Sequence, residues 1–162
     1  SQGAPTAAQI ARLLRDSGAQ ADVLAFRDAL IFNYLIGATD AHARNYSVLL
    51  AAGQARLAPL YDVASALPYD GSTRPLDREM AMDIGGTRRI GDLTVTSWRT
   101  LARDLEVDER ETLRRLVELA EQVPDAISGA FTRELRAGPG HALAERLIDR
   151  VADHCASVPR SM

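Results

Sequence analysis

No lysine occurs anywhere in this sequence of 162 residues; all 19 basic side chains are arginine. A Walker-type phosphate loop and Schiff-base catalysis both require a lysine amine, so neither can be assembled from this chain. Cysteine is nearly as scarce. Cys155 stands alone, which excludes an internal disulfide and, without a second thiol ligand, argues against a zinc site. It reads as an inert helical thiol in a reducing cytosol. Long apolar runs are missing too: the longest is about five residues, from Val48 to Ala52, against the ~20 that a membrane helix needs. No signal peptide is visible, and the expectation is a cytoplasmic protein with no membrane contact. There is no basic excess either. Acidic residues number 22 and the net charge is −3, the opposite of the footprint left by groove binding, so no direct contact with nucleic acid is expected.

What is present is an ordinary globular composition, 46% hydrophobic and 25% charged, enough for one domain over residues 1–162 with its own core. The chain opens Ser1-Gln2-Gly3 rather than on methionine, which suggests a processed product or a piece of a longer protein.

Thr6 and Gln9 have capping-box spacing, followed by a stripe of Ile10, Leu13 and Leu14 that closes near Gly18, a short first helix. From 22 to 36 the apolar residues Val23, Leu24, Phe26, Leu30, Ile31, Tyr34 and Leu35 recur at helical spacing, and neither proline nor glycine interrupts them before Gly37. This predicts a long, buried helix. Two short apolar runs about Gly53-Gln54 then read as a β-hairpin. Pro59, Pro68, Gly71 and Pro75 punctuate an irregular stretch with at most one short strand, from Met80 to Ile84. Helical patterning returns from Trp98 to Leu105, at Asp108 with Glu111 three residues on, again at Pro124, and finally through Leu143, Leu147, Ile148 and Val151. The expected fold is mainly α with a small β-hairpin, the motif-bearing part spanning about 22–86 and a helical remainder about 94–158.

The densest polar cluster is Thr39-Asp40-Ala41-His42-Ala43-Arg44-Asn45, just past the buried helix; a second acid, Asp62, follows the hairpin. Loops at the ends of paired strands can bring these groups together. Two carboxylates and an amide are what phosphoryl transfer asks for: hard oxygens for magnesium, and a carboxylate to take the proton of an attacking hydroxyl. The step from Asp40 to Asn45 equals the Asp-to-Asn step of the protein-kinase catalytic loop, and Asp62 would then fill the role of the second, metal-binding Asp. The same residues have a plainer reading, in which Asp40 caps a turn, Asn45 bonds loop backbone and Asp62 caps the following segment. A metal-dependent phosphohydrolase built from Asp40, His42, Asp62 and His141 or His154 is a third option, without an H-x-x-x-H pair to support it.

The wording around the cluster is longer than the motif. Phe32-Asn33-Tyr34-Leu35-Ile36-Gly37-Ala38-Thr39-Asp40-Ala41-His42-Ala43-Arg44-Asn45-Tyr46-Ser47, then Leu57-Ala58-Pro59-Leu60-Tyr61-Asp62, Leu67-Pro68-Tyr69 and Met80-Ala81-Met82-Asp83-Ile84-Gly85-Gly86 resemble the C-terminal lobe of the HipA-family serine/threonine kinase toxins. The resemblance implies the C-terminal half of a two-lobed, kinase-like fold, with Asp40 as catalytic base, Asn45 and Asp62 as Mg2+ ligands, and His42 and Tyr61 beside the ATP. In that family the acceptor is a serine of glutamyl-tRNA synthetase and the neutralising partner a DNA-binding HipB antitoxin. The nucleotide-binding lobe, with its phosphate-pairing lysine, has no counterpart in this sequence. The alternative function is a non-catalytic helical module that docks an antitoxin or substrate and keeps the motif as structure.

Overall fold

A computed structural model describes residues 4–17, 20–51, 54–69, 77–131 and 140–161. The organising element is α2 (Gln20–Leu35), buried on nearly every face: Val23, Phe26, Leu30, Ile31, Tyr34 and Leu35 all lie in the core. Such a helix needs neighbours on all sides, and α2 packs against α1, α4, α5 and the first hairpin.

Helix α1 (Ala7–Asp16) starts at the expected capping box, Gln9 N donating to the Thr6 hydroxyl and Thr6 N to the Gln9 side chain. Its buried face is Ala7, Ala11 and Leu14; Leu13, expected in the stripe, is 55% exposed. Helix α3 (Val95–Asp104) carries Trp98, fully buried, and α4 (Glu109–Phe131) begins where the Asp108 carboxylate accepts from Glu111 N at 2.7 Å. Helix α5 (His141–Ser161) lies along α4 and reaches back to α2 through Val151, Cys155 and Val158 in the shared core.

Two expectations need correction. Pro124 does not open a new helix: α4 runs through it, because Leu116, Ala120 and Val123 before it and Ile127 after it are all anchored in one core. The strand near Met80 is also not alone. β3 (Glu79–Ile84) pairs antiparallel with β4 (Thr87–Arg89), so the described residues form two hairpins rather than one. Gly85 and Gly86, with φ of 56° and 82°, make the two-residue turn with both central residues left-handed, whose twist matches that of the flanking strands. The hairpin that was expected pairs β1 (Val48–Ala51) with β2 (Gln54–Leu57), Val48 opposite Leu57 and Leu50 opposite Ala55. Buried Asp22 fastens it to α2, accepting from Arg56 Nε at 2.9 Å and Leu57 N at 3.0 Å. No described helix is long and apolar enough to cross a membrane.

Candidate active site

Helix α2 ends because Gly37 turns left-handed, φ 61°. Gly37 N donates to Tyr34 O at 3.0 Å and Ala38 N to Asn33 O at 2.8 Å, the paired bonds of a Schellman ending. From there residues 38–47 run as a loop that three other parts of the chain hold. Ala66 N donates to Gly37 O, Ala81 N of β3 to Thr39 O, and Ala58 N to Ser47 O, at 3.0, 2.9 and 2.8 Å. The short 3-10 turn Ala43–Asn45 closes its far end.

Asn45 is the joint. Its buried amide nitrogen donates to the main-chain carbonyls of Asp40, at 3.2 Å, and Asp62, at 3.4 Å, drawing together two acids 22 positions apart. Both aspartates are exposed. The plainer reading of Asn45 as a loop-bonding residue is therefore met by its Nδ2, and the same two bonds bring the main chains at Asp40 and Asp62 to one amide. Asp62 takes φ 54°, a left-handed conformation that side chains other than glycine rarely adopt and that Asp tolerates better than most.

Tyr61, 44% exposed, folds back over the turn: its hydroxyl donates to Arg44 O, so the Ser47 hydroxyl at 2.8 Å must donate to it. Beneath the loop, the Tyr46 ring meets Phe26 edge to face at 4.9 Å, and its oxygen accepts from Asn33 Nδ2 at 2.8 Å. Burial pushes that phenol up to about 12, so it stays neutral. Asn33 and Tyr46 are supporting residues that motif spacing alone did not single out. An Asn amid the apolar residues of the second half of α2 was the available signal, since such a buried group must find a partner.

His42 is turned elsewhere. Its backbone N–H bonds Asp40 O at 2.8 Å, while its ring borders a cavity of about 220 Å3 with Thr6, Met82, Asp83 and Arg88, and Nδ1 is buried without a hydrogen-bond partner. A larger groove of about 660 Å3 lies between α1 and the first hairpin, lined by Ile10, Leu13, Tyr46, Ser47, Val48 and Leu57. Neither cavity is lined by Asp40, Tyr61 or Asp62, which are exposed, or by Asn45, which is buried beneath them.

The other histidines do not join the acids. Exposed His141 pairs with Glu145 in the first turn of α5, and His154 is buried against Tyr34. Among the described residues no group of three or more His, Cys, Asp or Glu side chains is gathered, and neither His141 nor His154 stands with Asp40 and Asp62 as the phosphohydrolase option placed them. Cys155 is buried and its thiol is raised to about 11 by desolvation, matching an inert cysteine.

A helical scaffold with two described hairpins, carrying Asp40 and Asn45 on the loop after its central helix and Asp62 after the first hairpin, has the fold of a kinase-like C-terminal lobe. The family model for the HipA-like C-terminal domain matches residues 1–127, and the chain belongs to that family. It is 34% identical over 130 residues to a protein of Sinorhizobium fredii named "Putative kinase Y4mE", covering 79% of this chain and 30% of that protein. A second protein of the same organism, "Putative kinase Y4dM", is 25% identical over 150 residues, covering 92% of this chain and 34% of that one. Among solved structures, the complex of the Shewanella oneidensis MR-1 toxin–antitoxin proteins HipA and HipB with operator DNA matches with a TM-score of 0.84 at 17% identity, over 96% of this chain and 36% of that one. The chain thus spans about a third of the length of the relatives it matches.

Proposed function

We propose that this chain is the C-terminal catalytic lobe of a HipA-like serine/threonine kinase toxin, transferring the γ-phosphate of ATP to a serine of a protein such as glutamyl-tRNA synthetase. The observation that carries the reading is the Asn45 amide, tied to the main chains of both Asp40 and Asp62 in a family whose relatives are named as kinases.

The residues suit Mg2+. With Nδ2 committed to two carbonyls, Asn45 Oδ1 accepts no hydrogen bond from the described residues, and the exposed Asp62 carboxylate supplies a second hard oxygen. When bound, the ion would neutralise charge on the phosphate oxygens. Asp40, exposed on the same loop, accepts the proton of the attacking serine hydroxyl. Because Asn45 grips the carbonyls of both acids, a shift of one is felt at the other, and the base and the metal side stay in register. Tyr61 folds over the loop and would border the nucleotide; His42, proposed beside it, faces the separate cavity with Asp83 and Arg88, and the residues present give it no place among the acids of the site. A HipB-like DNA-binding antitoxin is the proposed partner, which leaves the DNA contact to that protein and agrees with the net charge of −3 here.

In the complete protein, Asp40→Asn and Asp62→Asn each lower phosphate incorporation by a factor of ~10²–10⁴, with the fold intact by circular dichroism. Asparagine tolerates the left-handed backbone at position 62, so the second change isolates the charge. Activity near wild type in either variant removes its assigned role. Normal antitoxin binding without nucleotide binding would instead identify the non-catalytic docking module.

A further inference from the structure

Asp40, Asn45, Tyr61 and Asp62 account for the proposed chemistry, and a buried histidine from the other end of the sequence has no part in it. His154 of α5 is 6% exposed, and its Nε2 lies 3.2 Å from the Tyr34 carbonyl. A carbonyl only accepts, so the ring is held as the neutral tautomer with the proton on Nε2. Nδ1 is left buried with no partner among the described residues, a cost that an apolar side chain filling the same space would not incur.

What the ring accomplishes is at the end of α2. The last carbonyls of a helix lack intrahelical partners, and here each finds one. Asn33 O accepts from Ala38 N, Tyr34 O from both Gly37 N and His154, Leu35 O from the Cys155 thiol at 3.9 Å, and Ile36 O from the Ser65 hydroxyl. The imidazole also meets the Tyr34 ring edge to face, centroids 4.9 Å apart. Three residues beyond Tyr34 the chain turns at Gly37, and six beyond it stands Asp40. Helix α5 lies outside the 1–127 span that the family model matches, yet it grips the turn from which the acidic loop springs.

We propose that His154 is a positioning residue: its Nε2–H bond to Tyr34, seconded by Cys155 on Leu35, holds the last turn of α2 in the register that places Gly37 and the 38–45 loop. Its consequence for phosphoryl transfer rests on the kinase reading above; its consequence for the order of the loop does not.

The test pairs two substitutions. His154→Phe keeps a ring against Tyr34 and removes the donor, whereas His154→Gln returns an N–H close to the place of Nε2; should the first fail to fold, His154→Leu serves as the donor-free variant. In amide hydrogen exchange, the donor-free variant exchanges at least ~10-fold faster at Gly37, Ala38 and Asn45, while Trp98 in α3 and Leu116 in α4 stay within about twofold and His154→Gln restores protection. Uniform acceleration in α3 and α4 as well, or none at 37–45, overturns the proposal. In the complete protein the donor-free variant lowers kcat about 10-fold with KM for Mg-ATP within about threefold, and His154→Gln recovers it. An unchanged kcat against an active wild type overturns the positioning role. A wild type that transfers no phosphate defeats the kinase reading, and the exchange measurement still decides whether α5 orders the loop.

Discussion

Gly37 answers to two constraints at once. Its φ of 61° is left-handed, and a Cβ built there would stand 2.6 Å from the Leu67 side chain. Gly37→Ala therefore combines the left-handed penalty, ~1 kcal/mol, with a displacement of buried Leu67, and a loss of about 1–3 kcal/mol is expected in denaturant unfolding. Two buried residues bear on the pH dependence of stability at opposite ends, with Glu111, held low by its Arg114 hydrogen bond, adding to the acid end. Burial lowers His154 below its ordinary value, with the Tyr34 carbonyl bond opposing, so the folded chain prefers the neutral ring while the unfolded chain takes a proton near pH ~6.5. Its contribution is complete above that pH and is lost as pH falls from there toward the folded value. The Arg56 hydrogen bond holds Asp22 below the usual carboxylate range, burial opposing, so the stability from Asp22 is complete above about pH 4 and is lost as pH falls through its lowered folded value. Unfolding free energies measured from pH 8 to pH 3 should show two separate declines. The upper one vanishes in His154→Gln, and a slope between pH 7 and 5 that survives this change contradicts the assignment.

The second hairpin shows what an element demands of its turn. At Gly85 a Cβ would lie 2.1 Å from the Ser97 carbonyl oxygen, backbone that cannot step aside, whereas at Gly86 nothing stands within 4 Å. Gly85→Ala is expected to cost more than ~2 kcal/mol, and Gly86→Asn, a residue that tolerates left-handed backbone, less than about 1 kcal/mol. Equal thermal shifts for the two would refute the distinction. The same hairpin marks a limit of reading from sequence. Alternation in Met80, Met82 and Ile84 announces β3, but β4 is three residues of Thr87, Arg88 and Arg89 with no apolar pattern, and only the adjacent glycines betray it. Pro124 misled in the other direction. Proline usually marks a helix start, and α4 instead carries it internally, at the expense of the bond its missing N–H would make to Ala120 O. Pro124→Ala should raise stability by about 1–3 kcal/mol, the sign opposite to that expected if the ring opened a helix. By contrast α1 and α2 were legible, since a capping box and an unbroken apolar periodicity are local signals. The site was half legible: spacing marks Asp40, Asn45 and Asp62, while the bonds from Asn33 to Tyr46 and from His154 to Tyr34 join residues 13 and 120 positions apart, which no local pattern records.

At the scale of the molecule, one core runs from Ala7 on α1 to Val158 on α5, so the ends of the sequence close on the same interior and the chain has the means to fold as a unit. Phosphoryl transfer asks for more than a folded unit. It depends on positioning and charge neutralisation from both sides of the nucleotide, and the proposed groups form one side only, with the two acids, Asp40 and Asp62, exposed. With no lysine among 162 residues, the chain cannot furnish the phosphate-pairing amine, and the two cavities beside the loop are not lined by the acids. The chain spans 30–36% of the length of its matched relatives, and the remainder of such a protein is the natural source of the other side. Mg-ATP should therefore bind the 162-residue chain with a Kd of roughly millimolar or weaker, and radiolabelled phosphate should not move to any acceptor. Calorimetric titration of the chain beside the complete protein measures the difference directly. Micromolar affinity or turnover in the chain alone would mean that it closes the nucleotide site itself, with arginines in the place of lysine or with a second copy as the missing wall.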